Sequence, residues 1–420
     1  MLKASILSIG DEICIGQIVN TNAAWIAKQV TRSGAFVERH VSVGDNAEDM
    51  KRELEHLLQI SDFVILTGGL GPTHDDITKP VLIDFFNDEL IFNESTYKNI
   101  LELLERRGLK PTGRLKQMAM LPKSCTPLKN AVGTAPGMLF ERNRKYIISM
   151  PGVPNEMKYI MNNSVIPLIV NIIKERNDDL ILYKTLLTSG VPESVLADKI
   201  GNVNDFLISD NASLAFLPSY KGVRLRIGVK ANNSADARNE IERIEKYIRQ
   251  RVDALIIADN DIPLAEVIGK ILSETNRTLA VAESCTGGLL GGEFTTIPGS
   301  SIYFLGGIIA YSNNIKENIL NVRYDTLVSY GAVSKDTAHE MAANVRQLFG
   351  SDYGISITGI AGPDGGTPEK PVGTVWIGIS SENTTMTERY TFGTDRDINR
   401  QRAVGTALNL LYQTINPDKK

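Results

Sequence analysis

Three stretches of the chain differ in how apolar and polar positions alternate. In the first, Ala4 to Ile9 is a short apolar run, followed by the polar loop Gly10-Asp11-Glu12 and a helical stretch opening near Asn22. Phe63-Val64-Ile65-Leu66 is uninterrupted, the pattern of a parallel strand buried on both faces. A helix from about Lys79 follows, with Pro80 tolerated in its first turn. Tyr146-Ile147-Ile148 is a further strand, running into the turn Met150-Pro151-Gly152-Val153-Pro154. This alternation predicts one βαβ-built domain over residues 1–172.

From Asn177 the texture changes. Val223, Leu225, Ile227 and Val229 alternate with Arg224, Arg226, Gly228 and Lys230, a half-solvated strand, and Ile241, Ile244, Ile248 and Val252 mark one face of an amphipathic helix. A small α+β module is expected over residues 173–258, without a G-x-x-G loop of the kind that clamps RNA. Asp259 to Pro263 reads as a linker. Beyond it Leu264, Val267, Ile268, Ile271 and Leu272 define a helix. Strands are expected at Leu279–Ala282, Gly306–Ala310, Gly354–Thr358 and Thr374–Ile379, with helices near Ile315–Leu320 and Ala338–Leu348. Residues 259–420 therefore form a second α/β domain. The fold class is α/β: two three-layer α/β/α domains joined by a small α+β module.

Bulk properties narrow the function. A length of 420 residues suits two or three domains, and 42% hydrophobic with 22% charged residues is ordinary for a soluble protein. The net charge of −4 argues against a nucleic-acid partner. No segment has the long apolar run of a membrane span, and the acidic pair in MLKASILSIGDE comes too early for a secretory signal. Three widely spaced cysteines, Cys14, Cys125 and Cys285, suit neither a disulfide framework nor a cysteine zinc site. A cytoplasmic protein is expected.

Two loops carry candidate chemistry. TGGLGPTHDD, Thr67 to Asp76, follows a buried strand and joins three glycines to adjacent carboxylates. Gly68, Gly69 and Gly71 can bring backbone N–H groups close to phosphate, and Asp75 and Asp76 are hard oxygen ligands for a divalent cation. The competing reading is a tight turn with a capping aspartate. AESCTGG, residues 282–288, also follows an apolar strand. Ser284 there is either a helix cap or a nucleophile. A histidine base is improbable, because His339 is the third domain's single histidine and falls inside a helix whose apolar face is Ala338, Met341, Ala342 and Val345. Lysine is the available base. Taking Asn314 as N-cap and Glu317 as the third helical residue puts Lys316 in a first turn, where the helix end and a low-dielectric pocket disfavour its charge.

IGDEICIGQIVNTN, GGLGPTHDDITKP, NAVGTAPGM and MPGVPNEM resemble the amino-terminal domain of the CinA family, itself similar to molybdopterin-binding domains. AESCTGG, PGSS, AYSNNIK and ITGIAGPDGGTPEKPVGTVWIG resemble its carboxy-terminal domain, so the match runs in order over essentially the whole chain. Asn20 departs from the family, which often has aspartate there.

The resemblance implies a KH-like connecting module and two hydrolytic activities. One is a carboxy-terminal deamidase converting nicotinamide mononucleotide to nicotinic acid mononucleotide and ammonia, with no cofactor. The other is an amino-terminal ADP-ribose pyrophosphatase using a divalent ion (Mg, Mn or Co) and releasing AMP and ribose 5-phosphate. It implies deamidase roles for Ser284, Ser301, Tyr311, Lys316 and Thr358, and a phosphate-binding arginine for which Arg396 and Arg400 compete. On that reading Ser284 attacks, Lys316 takes its proton, Tyr311 orients the lysine or relays the proton, and Ser301 and Thr358 bind substrate or assist proton transfer. Thr286, Gly287 and Gly288 supply oxyanion donors, and Gly359 opens a backbone-lined wall. In the first domain Gly68, Gly69, Gly71 and Thr73 face the substrate, while Asp11, Glu12, Asp75 and Asp76 hold the metal. The partners implied are these two nucleotides and a second copy in a homodimer, with no nucleic acid and no membrane. The alternative is a non-catalytic pterin- or nucleotide-binding protein linked to competence or DNA damage.

Overall fold

In the computed structural model the apolar runs become strands whose successive residues serve opposite helical layers. It describes residues 1–71, 76–110, 113–176, 178–208 and 210–416, with the backbone alone for 113 and 114. Two units are distinguished, Met1–Tyr183 with Gly228–Glu242, and Lys184–Ile227 with Arg243–Lys420.

The first unit contains β1 (Lys3–Ile9), β2 (Phe36–Val43), β3 (Phe63–Thr67), β4 (Leu90–Phe92), β5 (Met120–Pro122), β6 (Thr126–Leu128), β7 (Gly137–Arg142) and β8 (Lys145–Met150). Six of these form one sheet in the order β2-β1-β3-β8-β7-β6, and β4 pairs with β5 separately. β2, β1, β3 and β8 are parallel, and β7 and β6 run antiparallel. All five β3 residues are buried, as a strand covered on both faces must be. Val64 and Leu66 join Met50, Leu54 and Leu57 of the helix Ala47–Ile60, while Phe63 and Ile65 join Ile26 and Val30 of the helix Thr21–Arg32. The side chains of Asn46 and Asn20 cap those helices, each accepting backbone N–H bonds. The result is a three-layer α/β/α arrangement.

A four-stranded sheet follows, built from β9 (Leu180–Thr188), β10 (Ala212–Ser219), β11 (Gly222–Ala231) and β12 (Ile256–Ala258) in the order β10-β11-β9-β12. The alternating residues Val223, Leu225, Ile227 and Val229 are all buried, as are Ile241, Ile244, Ile248 and Val252 of the helix Ser234–Val252.

The carboxy-terminal part of the second unit holds β13 (Leu279–Glu283), β14 (Phe304–Ile309), β15 (Tyr353–Gly359), β16 (Thr374–Ser380) and β17 (Thr385–Thr391). Their order is β14-β13-β15-β16-β17, with β13 parallel to both neighbours, β15 antiparallel to β16 and β16 antiparallel to β17. One face packs Val281 and Ile357 against the helices Leu264–Glu274, Leu289–Thr295 and Arg396–Ile415. The other face packs Ala280 and Ala282 against Met341 and Val345 of the helix Lys335–Phe349. Among the described residues no helix is long and apolar enough to cross a membrane.

Candidate active site

β13 is wholly buried and ends in a carboxylate, Glu283, directly before Ser284. Ser284 is clamped between neighbouring strands: its N–H donates to the Ile357 carbonyl at 2.9 Å, and Ala310 N–H donates to the Glu283 carbonyl at 2.7 Å. The chain then turns through Gly287 (φ +61°) and Gly288 (φ +95°), where a β-carbon on Gly288 would come 3.1 Å from Ile309. A side chain here is disfavoured by both conformation and space. The helix Leu289–Thr295 begins after the turn. Ser284 makes no side-chain cap bond to it, so the alternative reading of the serine as the cap of this helix does not hold.

The buried Glu283 carboxylate takes the place of a cap. One oxygen accepts from Gly288 N (3.0 Å) and Leu290 N (3.1 Å), and the other from Gly291 N (2.8 Å). Gly287 N donates to the Ser284 carbonyl at 3.2 Å. The expected oxyanion donors are thereby corrected. Gly287 and Gly288 are engaged and Cys285 N–H lies against its own thiol, whereas among the described residues neither Cys285 N–H nor Thr286 N–H has an oxygen acceptor. Sequence reading gave Glu283 no role, although a charged residue closing an apolar strand signals a buried, paired carboxylate.

Lys316 reaches the serine from the other side. Its helix, Asn313–Asn318, is capped by Ser312, which accepts from Ile315 N at 3.3 Å. This corrects the expected cap at Asn314 and moves Lys316 to the fourth helical position. Lys316 is 1% exposed, and burial lowers its pKa from 10.5 to about 8. Nζ lies 3.0 Å from Ser284 Oγ, 2.7 Å from the Ala310 carbonyl and 3.3 Å from the Tyr311 carbonyl. A neutral amine satisfies all three contacts, with two N–H bonds to the carbonyls and its lone pair toward the serine hydroxyl. Cys285 is buried and its thiol is pushed up to about 11, away from thiolate character.

Other expected residues fall variously. Thr358, at the end of β15, is buried beside Ser284, and its hydroxyl donates to the Ala332 carbonyl at 2.7 Å. Gly359 follows it, and a β-carbon there would lie 2.9 Å from the Thr374 carbonyl. Tyr311 touches the lysine through its carbonyl, while its hydroxyl accepts from Arg396 Nη2 at 3.0 Å, so the expected side-chain relay is absent from this geometry. Arg396 also donates to the Gly362 carbonyl at 2.7 Å. Arg400 donates to the Thr286 carbonyl at 3.1 Å and keeps a buried Nε with no partner; Thr286 Oγ1 is likewise buried and unpartnered. Ser301 is displaced. It is exposed in the turn Ser300–Ile302 before β14, and Leu279 pairs with Phe304 while Glu283 pairs with Ile309. Ser301 therefore stands at the opposite end of the sheet from Ser284, about 16 Å away at the rise of a strand. The parallel register prevents it from meeting the serine within one chain.

In the first unit a cavity of about 530 Å³ opens at the carboxyl ends of the parallel strands, lined by Gly68, Gly69, Gly71, Glu12, Asp76 and Glu156 among others. Asn20 also lines it and donates to Ser8 Oγ at 2.8 Å. At Gly68 (φ +111°) a β-carbon would meet the Ile9 carbonyl at 2.2 Å, so the loop needs glycine there. Asp76 accepts from Gly71 N at 2.7 Å, and Asp11 accepts from Asp45 N at 3.0 Å while Asp45 accepts from Asp11 N at 3.1 Å. Asp11 thus serves the loop, and Asp45, unassigned from sequence, lines the cavity. Thr73 and Asp75 lie outside the described residues. Among the described residues no three His, Cys, Asp or Glu side chains gather closely enough to hold a metal by themselves.

Comparison with known proteins matches three family models in order. They are "Probable molybdopterin binding domain" over residues 5–171, "Damage-inducible protein CinA KH domain" over 183–258 and "CinA C-terminal domain" over 261–415. A CinA-like protein of Chloroherpeton thalassium is 41% identical over 423 residues, covering 99% of this chain and 100% of that protein. A CinA-like protein of Salinibacter ruber is 39% identical over 416 residues, again 99% and 100%. With relatives of this similarity aligned from end to end, the chain belongs to the CinA family.

Proposed function

We propose that the protein is a bifunctional pyridine-nucleotide hydrolase whose carboxy-terminal domain deamidates nicotinamide mononucleotide. The observation that carries this reading is the buried Ser284–Lys316 pair, with Nζ 3.0 Å from Oγ and a lysine pKa lowered to about 8. Neutral Lys316 removes the hydroxyl proton as Ser284 Oγ attacks the carboxamide carbon. The N–H groups of Cys285 and Thr286 receive the oxyanion. The Lys316 ammonium then gives its proton to the departing amine, ammonia leaves, and a nicotinoyl ester remains on Ser284. Water, deprotonated by the same lysine, attacks that ester and releases the carboxylate product and the free serine. Thr358 is buried beside the serine, its hydroxyl held by the Ala332 carbonyl. The unpaired Nε favours Arg400 for the mononucleotide phosphate, with Arg396 holding Tyr311 at the rim. No cofactor enters this chemistry.

The amino-terminal cavity takes ADP-ribose in the same proposal. Its glycine loop suits a pyrophosphate, and its carboxylates are oxygen donors of the hardness a divalent ion prefers. Glu12 and Asp76 would hold that ion together with phosphate oxygens, since magnesium-like ions commonly bind one or two carboxylates plus substrate phosphates. The ion would supply charge neutralisation at the bond to be cleaved. This chain's own contribution would be the Gly69 N–H, because among the described residues Gly68 N–H donates to the Met150 carbonyl and Gly71 N–H to Asp76, against the expectation that all three glycines face the phosphates. A second reading, a domain that grips a pterin or nucleotide without turnover, is favoured by the engagement of Asp76 with Gly71 N–H. Assaying ammonia from nicotinamide mononucleotide and AMP from ADP-ribose with added magnesium, manganese or cobalt separates the readings. Ammonia without AMP would leave the deamidase alone. AMP without ammonia would remove the deamidase reading.

A further inference from the structure

A buried carboxylate beside a serine nucleophile is an expense the fold need not carry: an uncompensated charge in the interior is strongly unfavourable, and a helix start is ordinarily satisfied by a serine or aspartate at its surface. Glu283 is 1% exposed, and its two oxygens accept three backbone N–H bonds, from Gly288, Leu290 and Gly291. These are the N–H groups that open the helix Leu289–Thr295. A negative charge placed there answers the positive end of the helix, so little of that field is left for a ligand. The N–H groups of Cys285 and Thr286, which lie between Glu283 and the bonded set, remain without an oxygen acceptor among the described residues.

We infer that Glu283 is a positioning residue for the deamidase reaction: its carboxylate locks the turn after β13 so that Cys285 and Thr286 N–H face the developing oxyanion while Ser284 stays at Lys316. The inference rests on the deamidase reading above. Its chemical content is a division of labour within one turn. The later amides are held by the chain's own anion, and the earlier ones are kept for the substrate's. Glutamine cannot replace the glutamate in this task. Whichever way its amide is turned, an NH₂ group faces at least one of the three N–H donors, and the bonds to Gly288, Leu290 and Gly291 cannot all form. Aspartate keeps the charge but is one methylene shorter, so it restores the interaction in part.

The test uses the full-length protein and the variants Glu283→Gln and Glu283→Asp, with two substrates. Nicotinamide mononucleotide is the proposed substrate, and p-nitrophenyl acetate is a generic activated ester that needs only the nucleophile, its base and the oxyanion donors. Amide hydrogen exchange is followed in parallel. Glu283→Gln is expected to lower kcat on both substrates by about 100-fold, the scale of losing a preorganised oxyanion donor, with KM for the mononucleotide changed less than threefold. Exchange is expected to quicken within residues 285–291 alone, and Glu283→Asp to recover part of kcat. Unchanged kcat in Glu283→Gln overturns the inference. So does a loosening of exchange spread through the whole domain, which would make Glu283 a general stability residue. Ester hydrolysis by the wild type without ammonia from the mononucleotide would refute the substrate reading, and the ester data would still decide the role of Glu283. A wild type inert toward both substrates refutes the two together.

Discussion

Lys316 owes its chemistry to where its ammonium would have to sit. Burial at 1% exposure lowers its pKa to about 8, so near neutrality a useful fraction is already the free amine. In the proposed mechanism the neutral form is the active one. Deamidase kcat/KM should therefore rise about tenfold per pH unit well below 8 and level off above it, as the stopped-rate ammonia assay across pH 6 to 10 would read. Lys316→Arg should remove at least about 100-fold of kcat despite keeping the charge, because arginine holds its proton throughout this range. Activity of the arginine variant near that of the wild type would reduce Lys316 to a fixed positive charge. Cys285→Ala should retain most of the activity, since a buried thiol pushed up to about 11 supplies almost no thiolate. At this scale the sequence was informative in part: the lack of a usable histidine pointed to a lysine, and the family resemblance carried by AESCTGG and AYSNNIK singled out Ser284 and Lys316. Glu283 was not legible, because periodicity reports burial and not what a buried carboxylate bonds to.

The elements explain which of the expected residues come together. The turn after β13 and the helix Asn313–Asn318 bring together the proposed nucleophile and base from two neighbouring segments, and each segment has its own cap, Glu283 for one and Ser312 for the other. Ser312→Ala should destabilise the domain by about 1 kcal/mol, a typical capping loss, and lower kcat severalfold by freeing the segment that carries Lys316. Thermal unfolding and steady-state kinetics would measure both, and an unchanged melting temperature with unchanged kcat would show that the cap does not hold the lysine. Ser301 is set apart from Ser284 at this scale. Short motifs place a residue on a loop, but only strand register decides which end of the sheet that loop occupies, and β14 runs parallel to β13 with Ser301 before its start. The same limit hid β17. Thr385–Thr391 mixes threonine with Glu388 and Arg389, an edge-strand texture with no continuous apolar run.

At the scale of the whole molecule, the proposed activities ask for different surroundings. A pyrophosphate among the carboxylates of the first cavity needs a cation, whereas amide hydrolysis at Ser284 relies on a neutral amine and backbone N–H groups. EDTA should therefore abolish AMP formation from ADP-ribose and leave ammonia release unaffected, and Asp76→Asn should reproduce the first effect alone. AMP formation in thoroughly chelated protein would leave Asp76 as the turn residue that its bond to Gly71 N–H also describes. The two α/β sheets were legible from uninterrupted runs such as Phe63–Leu66; the sites were legible as loops, and their bonding required the folded backbone. The most direct measurement of the central claim is ammonia release from nicotinamide mononucleotide by chelated wild-type protein beside Ser284→Ala. The account predicts sustained release by the wild type and loss of at least about 1,000-fold in the variant, with ADP-ribose cleavage unchanged when metal is restored. Equal ammonia release by both proteins, or none from the wild type, would contradict it.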